Sequence, residues 1–292
     1  MLSMIGMGFG GILNCILDPI FIFGFGLGVT GASMATAISK LVSFSILIFP
    51  YLTHRSMLSI SLKSFRWDKE ILFQIASVGS SSMFRSGLAV VAAIVLNNIA
   101  GSISDSVLAG IGVSTKVMMF PFSIILGFCS GFQPVAGFNW GAKKYDRVLE
   151  CYRFAAKTAI IGAILMGLAV GLAANPIIRL FAETDPDMQQ IGALTIRLQC
   201  VALPIQGWVA VVNMFCAGLG YARGALVLAT SRQGSCFFPV IFPISMIWGA
   251  NGVASVQAVA DVLSLVLAIP ILHWVLKKVR TAMEDAKRSN FI

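Results

Sequence analysis

Asn14-Cys15-Ile16-Leu17-Asp18-Pro19 is the stretch on which the reading of this chain turns. It sits inside an otherwise apolar run, residues 2–25, long enough to cross a bilayer, which takes about 20 residues. A carboxylate in such a run is expensive and marks a functional position by default. Asn14 and Asp18 are four apart, so a helix puts both on one face. Pro19 has no amide hydrogen for the carbonyl of Cys15, and its ring crowds that oxygen. One face therefore carries a carboxylate, an amide oxygen and a freed carbonyl. Such oxygen clusters suit a proton or a hard cation such as sodium. The same residues also fit a proline-kinked helix whose Asp18 is satisfied by a neighbouring helix.

Composition points the same way. The chain has 292 residues, of which 58% are hydrophobic and only 11% charged, with a mean hydropathy of +0.89. Soluble domains carry about 25% charged residues. An all-α, multi-pass membrane protein is expected. Eight apolar runs can be marked, at 2–25, 29–52, 70–99, 107–136, 154–180, 189–219, 225–247 and 251–276. The first lacks a basic leading segment and is too long for a cleavable signal peptide. Prolines in or near the runs (Pro121, Pro134, Pro204, Pro239, Pro243) predict bent or broken helices. The six cysteines form no CxxC pair and read as small apolar residues or incidental thiols.

The net charge of +9 reads as membrane topology rather than nucleic-acid binding, because of where it falls. Basic residues occupy alternate connections: Arg55, Lys63, Arg66 and Lys69; then Lys143, Lys144, Arg147 and Arg153; then Arg223; then Lys277, Lys278, Arg280, Lys287 and Arg288. The loops at 24–29, 100–106, 181–188 and 247–251 hold no Lys or Arg. By the positive-inside rule both termini face the cytoplasm, which an eight-span count allows. A bacterial-type inner (plasma) membrane is the expected location.

An internal repeat is visible when residues 31–43 are set against 252–264. Glycine, alanine and serine coincide at three of thirteen places, and apolar character matches at most others. Pro19 and Pro239 fall within one residue of the same offset. Spans 1–2 would then correspond to spans 7–8 in a parallel six-helix repeat. A repeat ending at residue 52 calls for four more helices ahead of Met1. The expected organisation is the last two helices of an N-terminal lobe at 1–52, a basic cytoplasmic linker at 53–69, a six-helix C-terminal lobe at 70–276 and a basic cytoplasmic tail at 277–292.

Three motifs follow in order. The first is Leu13-Asn14 with Leu17-Asp18-Pro19-Ile20-Phe21-Ile22, then Gly26-Leu27-Gly28-Val29-Thr30-Gly31-Ala32 and Ala35-Thr36. The second is Gly131-Phe132-Gln133-Pro134-Val135-Ala136-Gly137-Phe138-Asn139-Trp140-Gly141-Ala142-Lys143-Lys144, followed by Tyr145-Asp146-Arg147-Val148. The third is Ala217-Gly218-Leu219-Gly220, with Arg232-Gln233 before Pro239. Together they resemble the multidrug and toxic compound extrusion (MATE) transporters, in the branch similar to bacterial DinF. The resemblance covers essentially the whole chain, set against the last eight of the family's twelve helices. It implies a partial two-lobe fold that exports drugs and organic cations in exchange for sodium or protons, by alternating access. It also implies a cation site at Asn14, Asp18 and Thr36, with sodium or a proton as coupling ion and no other cofactor. The family's further carboxylate, on its first helix, has no counterpart here. Nor does an acidic residue in the first helix of the C-terminal lobe, which offers Gln74 and Arg85.

Other polar residues in the spans carry two readings each. Arg85 and Lys116 line a substrate cavity or gate, or else snorkel or pair with backbone carbonyls. Met118, Phe120 and Phe122 around Pro121 suit a deformable cavity wall, or ordinary packing against lipid and helices. Arg197 and Asp261 read as a structural ion pair or as separately satisfied groups. Lys40 lies near Asp18 by helix count, placed to neutralise it or to face a helix outside this chain. Enzyme chemistry finds little footing. There are two histidines, no HExxH and no GxxxxGK[ST]. The expected partners are a small, organic, cationic substrate and the bilayer. A lipid or lipid-linked saccharide flippase and a non-transporting membrane fragment are the competing readings.

Overall fold

The computed structural model describes residues 2–53, 68–182 and 185–289, and the side chains of all these except 2–5, 50, 70–85 and 287–289. The expected linker at 53–69 therefore lies almost wholly outside the described residues. Every regular element among the described residues is helical. In order they are α1 (Leu2–Pro19) with a π turn (Ile20–Gly24), α2 (Gly28–Leu52), α3 (Lys69–Ile103), α4 (Asp105–Gly141), α5 (Tyr145–Leu172), α6 (Ala174–Arg179), α7 (Pro186–Gly218), α8 (Ala222–Thr230) with a second π turn (Ser231–Ser235), and α9 (Phe237–Ser289). Among the described residues, seven helical stretches are long and apolar enough to cross a membrane. The last of them reverses at Gly249, whose φ of 53° and ψ of −129° are non-helical. It thus supplies the seventh and eighth of the expected runs.

Connections are shorter than the hydropathy suggested. Ser104 alone separates α3 from α4. Its backbone is extended and its Oγ accepts from the Val107 amide at 3.2 Å, a side-chain N-cap. The basic segment expected as a loop at 137–153 is mostly helix, with only residues 142–144 between α4 and α5. Val148 and Tyr152 are buried one turn apart while Arg147 and Arg153 stay exposed, so an amphipathic first turn carries α5 past the apolar run. The same holds for the expected tail at 277–292. Val275 and Val279, both fully buried, extend the inward stripe of α9, and the helix continues through Lys277, Lys278 and Arg280 to Ser289. Asp185 caps α7, its Oδ1 accepting from the Met188 amide at 3.1 Å, and Pro186 occupies the first helical turn.

The chain divides into two compact units, residues 1–73 and 74–292. In the first, α1 and α2 form a hairpin. Its close packing runs through Gly6 and Gly10, which face Leu47 and Ser43 of α2, and Ser43 Oγ donates to the Gly6 carbonyl at 3.0 Å.

The second unit holds the main apolar core, with Phe215, Ile178, Ile196, Leu203 and Val148 almost wholly buried. Two of the sequence motifs meet there. A Cβ on Gly137 would lie 2.8 Å from the Gly218 carbonyl, and one on Gly218 would lie 2.8 Å from the Gln133 carbonyl. Glycine is what lets α4 and α7 approach backbone to backbone. Trp140 then packs against Tyr145 and Tyr221, with ring centroids 5.2 and 6.3 Å apart, and Tyr221 against Trp274 at 5.0 Å. These rings gather at the basic ends of the helices, as the aromatic belt of a membrane protein does.

Candidate functional site

The first unit carries the pair that opened the sequence reading. Asn14 and Asp18 are half-buried, and Asn14 Nδ2 donates to Asp18 Oδ1 at 3.3 Å. Pro19 ends α1, and the chain winds into the π turn, with the Phe25 amide reaching the Ile20 carbonyl at 3.0 Å. Such turns recur at functional sites because they shift side chains out of α register. Thr36 is exposed on α2 and its Oγ1 donates to the Ala32 carbonyl of its own helix at 2.9 Å. Among the described residues no hydrogen bond joins Thr36 to Asn14 or Asp18. Lys40 is exposed, and no ion pair among the described residues links it to Asp18. The same residues show no gathering of three His, Cys, Asp or Glu side chains. A hard cation at Asp18 would therefore draw its other ligands from amide, hydroxyl and carbonyl oxygens.

The second unit encloses a more elaborate polar site. Asp261, on α9, is 3% exposed. Its Oδ1 lies 2.8 Å from Arg232 Nε, and its Oδ2 accepts from Gln206 Nε2 at 3.1 Å. The Arg232 contact is a close meeting of charges in which the Nε–H is not aimed at the oxygen. Arg232 reaches this point from the π turn at 231–235, where the Cys236 amide bonds the Ser231 carbonyl at 2.9 Å. Ser231 Oγ meets Ser264 Oγ at 3.2 Å, locking the turn onto α9 one turn from Asp261. The guanidinium carbon stands 4.9 Å above the ring of Phe122 on α4, a cation–π contact. Removing the Asp261 charge from water costs several kcal/mol, which the charge of Arg232, its side chain 25% exposed, and the Gln206 amide offset.

This pair borders two adjoining cavities of about 290 and 330 Å³, both lined by Phe122, Gln206, Arg232 and Gln233. Asp261, Asn213 and Ser264 complete the first. Met118, Gln199 and Gln257 wall the second, with Gln257 Nε2 buried and unpartnered. Of the residues expected to line a substrate cavity, Met118 is here, with its sulfur 3.7 Å from that of Cys200. Phe120 is 71% exposed and Lys116 is exposed, and neither lines these two cavities. Arg85 lies on α3, its side chain outside the described residues.

Of the two readings of Arg197 and Asp261, the structure shows separately placed groups. Arg197 is exposed and lines a separate cleft with Asn175 and Arg179, while Arg232 takes the carboxylate. The glutamines were passed over in the sequence, although a signal existed. Gln199 and Gln206 are seven apart on α7, and Gln257 and Asp261 four apart on α9, each pair on one helix face.

Several comparisons bear on this geometry. The MatE family model matches residues 82–242, more than half of the chain. The multidrug export protein MepA of Staphylococcus aureus is 29% identical over 273 residues, covering 94% of this chain and 60% of that protein. MepA of Staphylococcus saprophyticus is 29% identical over 272 residues, 93% of this chain and 60% of its own length. The chain thus spans about 60% of the length of the curated relatives it matches. An outward-facing multidrug resistance MATE family transporter of the MOP superfamily superposes with a TM-score of 0.82 at 23% identity, over 96% of this chain and 63% of that one. The Vibrio cholerae MATE transporter VcmN in its bent form gives 0.79 at 21% identity, over 96% and 64%. These solved structures share the fold, with its all-helical, multi-pass architecture, and the chain belongs to the MatE family.

Proposed function

We propose that the chain works in a secondary antiporter that exports drugs or organic cations in exchange for sodium or protons. Support comes from the family match and from the MepA relatives, which are named as multidrug export proteins. The observation that carries the ion-coupling part is the half-buried Asn14–Asp18 hydrogen bond in an apolar span. A carboxylate there gains from a bound cation or proton in the arrangement that desolvates it. It loses that gain in the arrangement that opens it to water. Coupling needs this difference in affinity between two states of the two lobes. Asn14 and Asp18 supply an amide and a carboxylate oxygen, and Thr36 adds its hydroxyl after turning from its own helix carbonyl. Arg85, Lys116, Met118 and Phe120 are the proposed contacts for substrate.

Residues 1–52 belong to one lobe and 70–276 to the other, joined by the 53–69 linker. The alternating basic connections favour cytoplasmic termini in a bacterial-type inner membrane.

The test is dye efflux from cells expressing the chain alone, and the chain joined to the part of MepA that it does not match. Asp18→Asn is expected to abolish the dependence of efflux on a sodium or proton gradient. Undiminished, ion-dependent efflux by that variant sinks the proposal.

A further inference from the structure

We propose that the cavity of the second unit binds uncharged aromatic ligands that carry a carbonyl-type acceptor, held by the free donors of Arg232 and by Gln257. Use of this site in export rests on the transporter reading above; binding itself does not. Arg232 has donors left over. A guanidinium has five N–H donors. Here Nε faces Asp261 and the flat face lies over Phe122, and neither terminal amino group donates a hydrogen bond among the described residues. Arg232 lines both cavities. Gln257 Nε2, buried without a partner, is a further unspent donor on the second. Arg232 Nε and Gln257 Nε2 are buried without an acceptor, which is costly, and the terminal amino groups of the 25% exposed Arg232 side chain are open to a guest, so the site favours whatever brings an acceptor.

Charge selects the class. Arg232 and Asp261 already neutralise each other at 2.8 Å, and among the described residues no other charged side chain lines either cavity. A cationic or anionic guest would leave one unbalanced charge in a desolvated site, whereas a neutral guest leaves none. The remaining walls are apolar and thioether groups such as Met118, Leu126 and Val209, which suit a ring. Gln199, Gln206 and Gln233 offer amides that both donate and accept. A neutral ring with an amide or ketone group meets all of these at once.

Fluorine NMR on the purified chain in lipid nanodiscs tests this with three probes of one shape: para-fluorobenzamide, para-fluorobenzylammonium and para-fluorobenzoate. The wild-type chain is expected to bind the benzamide about tenfold more tightly than either ion. Arg232→Gln leaves Asp261 as the sole charge, and the preference should move to the ammonium probe. The double variant Arg232→Gln with Asp261→Asn restores neutrality. It should keep the preference for benzamide at several-fold weaker affinity, and it decides the matter if the single variant does not fold. Equal binding of all three probes by wild type, benzamide affinity unchanged in the double variant, or no binding of any probe overturns the proposal. Asp18→Asn serves as the reference. Lost ion coupling with benzamide binding intact supports both readings. Coupling unaffected by that variant sinks only the antiport reading, and coupled efflux without benzamide binding sinks only this one.

Discussion

The hairpin of α1 and α2 and the hairpin that α9, with the π turn ahead of it, makes about Gly249 are built to one backbone plan and filled with different chemistry. Each turns at a glycine of positive φ, Gly28 at 54° and Gly249 at 53°. Three residues later Gly31 or Gly252 lies against a carbonyl of the preceding helix, that of Phe21 or Ile244. Further on, Ser43 faces Gly10 in the first hairpin, and Ser264 meets Ser231 in the second. The residues that share a register position between these serines and glycines are Lys40 and Asp261. Lys40 is exposed, with no ion pair among the described residues. Asp261 is buried against Arg232 and Gln206. Glycine and serine set the way two helices can turn and touch. What a charge does at a given register depends on the helices around it, because only burial turns a charge into an energetic demand.

Breaking the second hairpin's pair should have the largest effect. Arg232→Leu leaves Asp261 uncompensated and is expected to lower stability by about 3–5 kcal/mol, read as a shifted unfolding midpoint in detergent. Replacing both partners with neutral residues should recover most of that loss. Next come the turns. Gly249→Ala and Gly28→Ala each force a side chain into a backbone region costing about 1–3 kcal/mol. Similar losses in both would sharpen the parallel, and a cost at only one would break it. Outside both hairpins, Asp185 supplies a control. Hydrogen bonds from Ser106 and the Met188 amide hold its carboxyl below the usual aspartate range. The stabilisation is therefore present above that range and lost as pH falls through the lowered value. Thermal unfolding in strong acid should show this loss in wild type and not in Asp185→Ala. The smallest effect is expected at Lys40→Ala, within about 0.5 kcal/mol of wild type by the same unfolding measurement.

Much of this was legible in the residues. Long apolar runs are helices in a membrane because no other single segment satisfies its own backbone there, and the Gly31 and Gly252 alignment exposed the repeat. Helix ends were less legible. Val148, Tyr152, Val275 and Val279 continue inward stripes beneath basic residues, and a hydropathy average cannot separate a stripe from a loop. Of the first candidate site, Asn14 and Asp18 met as helical spacing requires, since that contact lies within one helix. Thr36, on another helix, is bonded to its own backbone, and Arg197 and Asp261 stand apart, as one of their two readings had it, with Arg232 beside the carboxylate.

The sequence by itself determined that this chain is a bundle of membrane helices, that two of its hairpins repeat, and that Asn14 and Asp18 share a face. These follow from composition, period and offset, which are properties of the chain as a line. Only the tertiary structure decided that Arg232, Gln206, Gln257 and Asp261 line two adjoining cavities. They come from a π turn and two other helices, and the shift in register at Ser231–Ser235 that aims Arg232 is set by packing against α9, not by spacing.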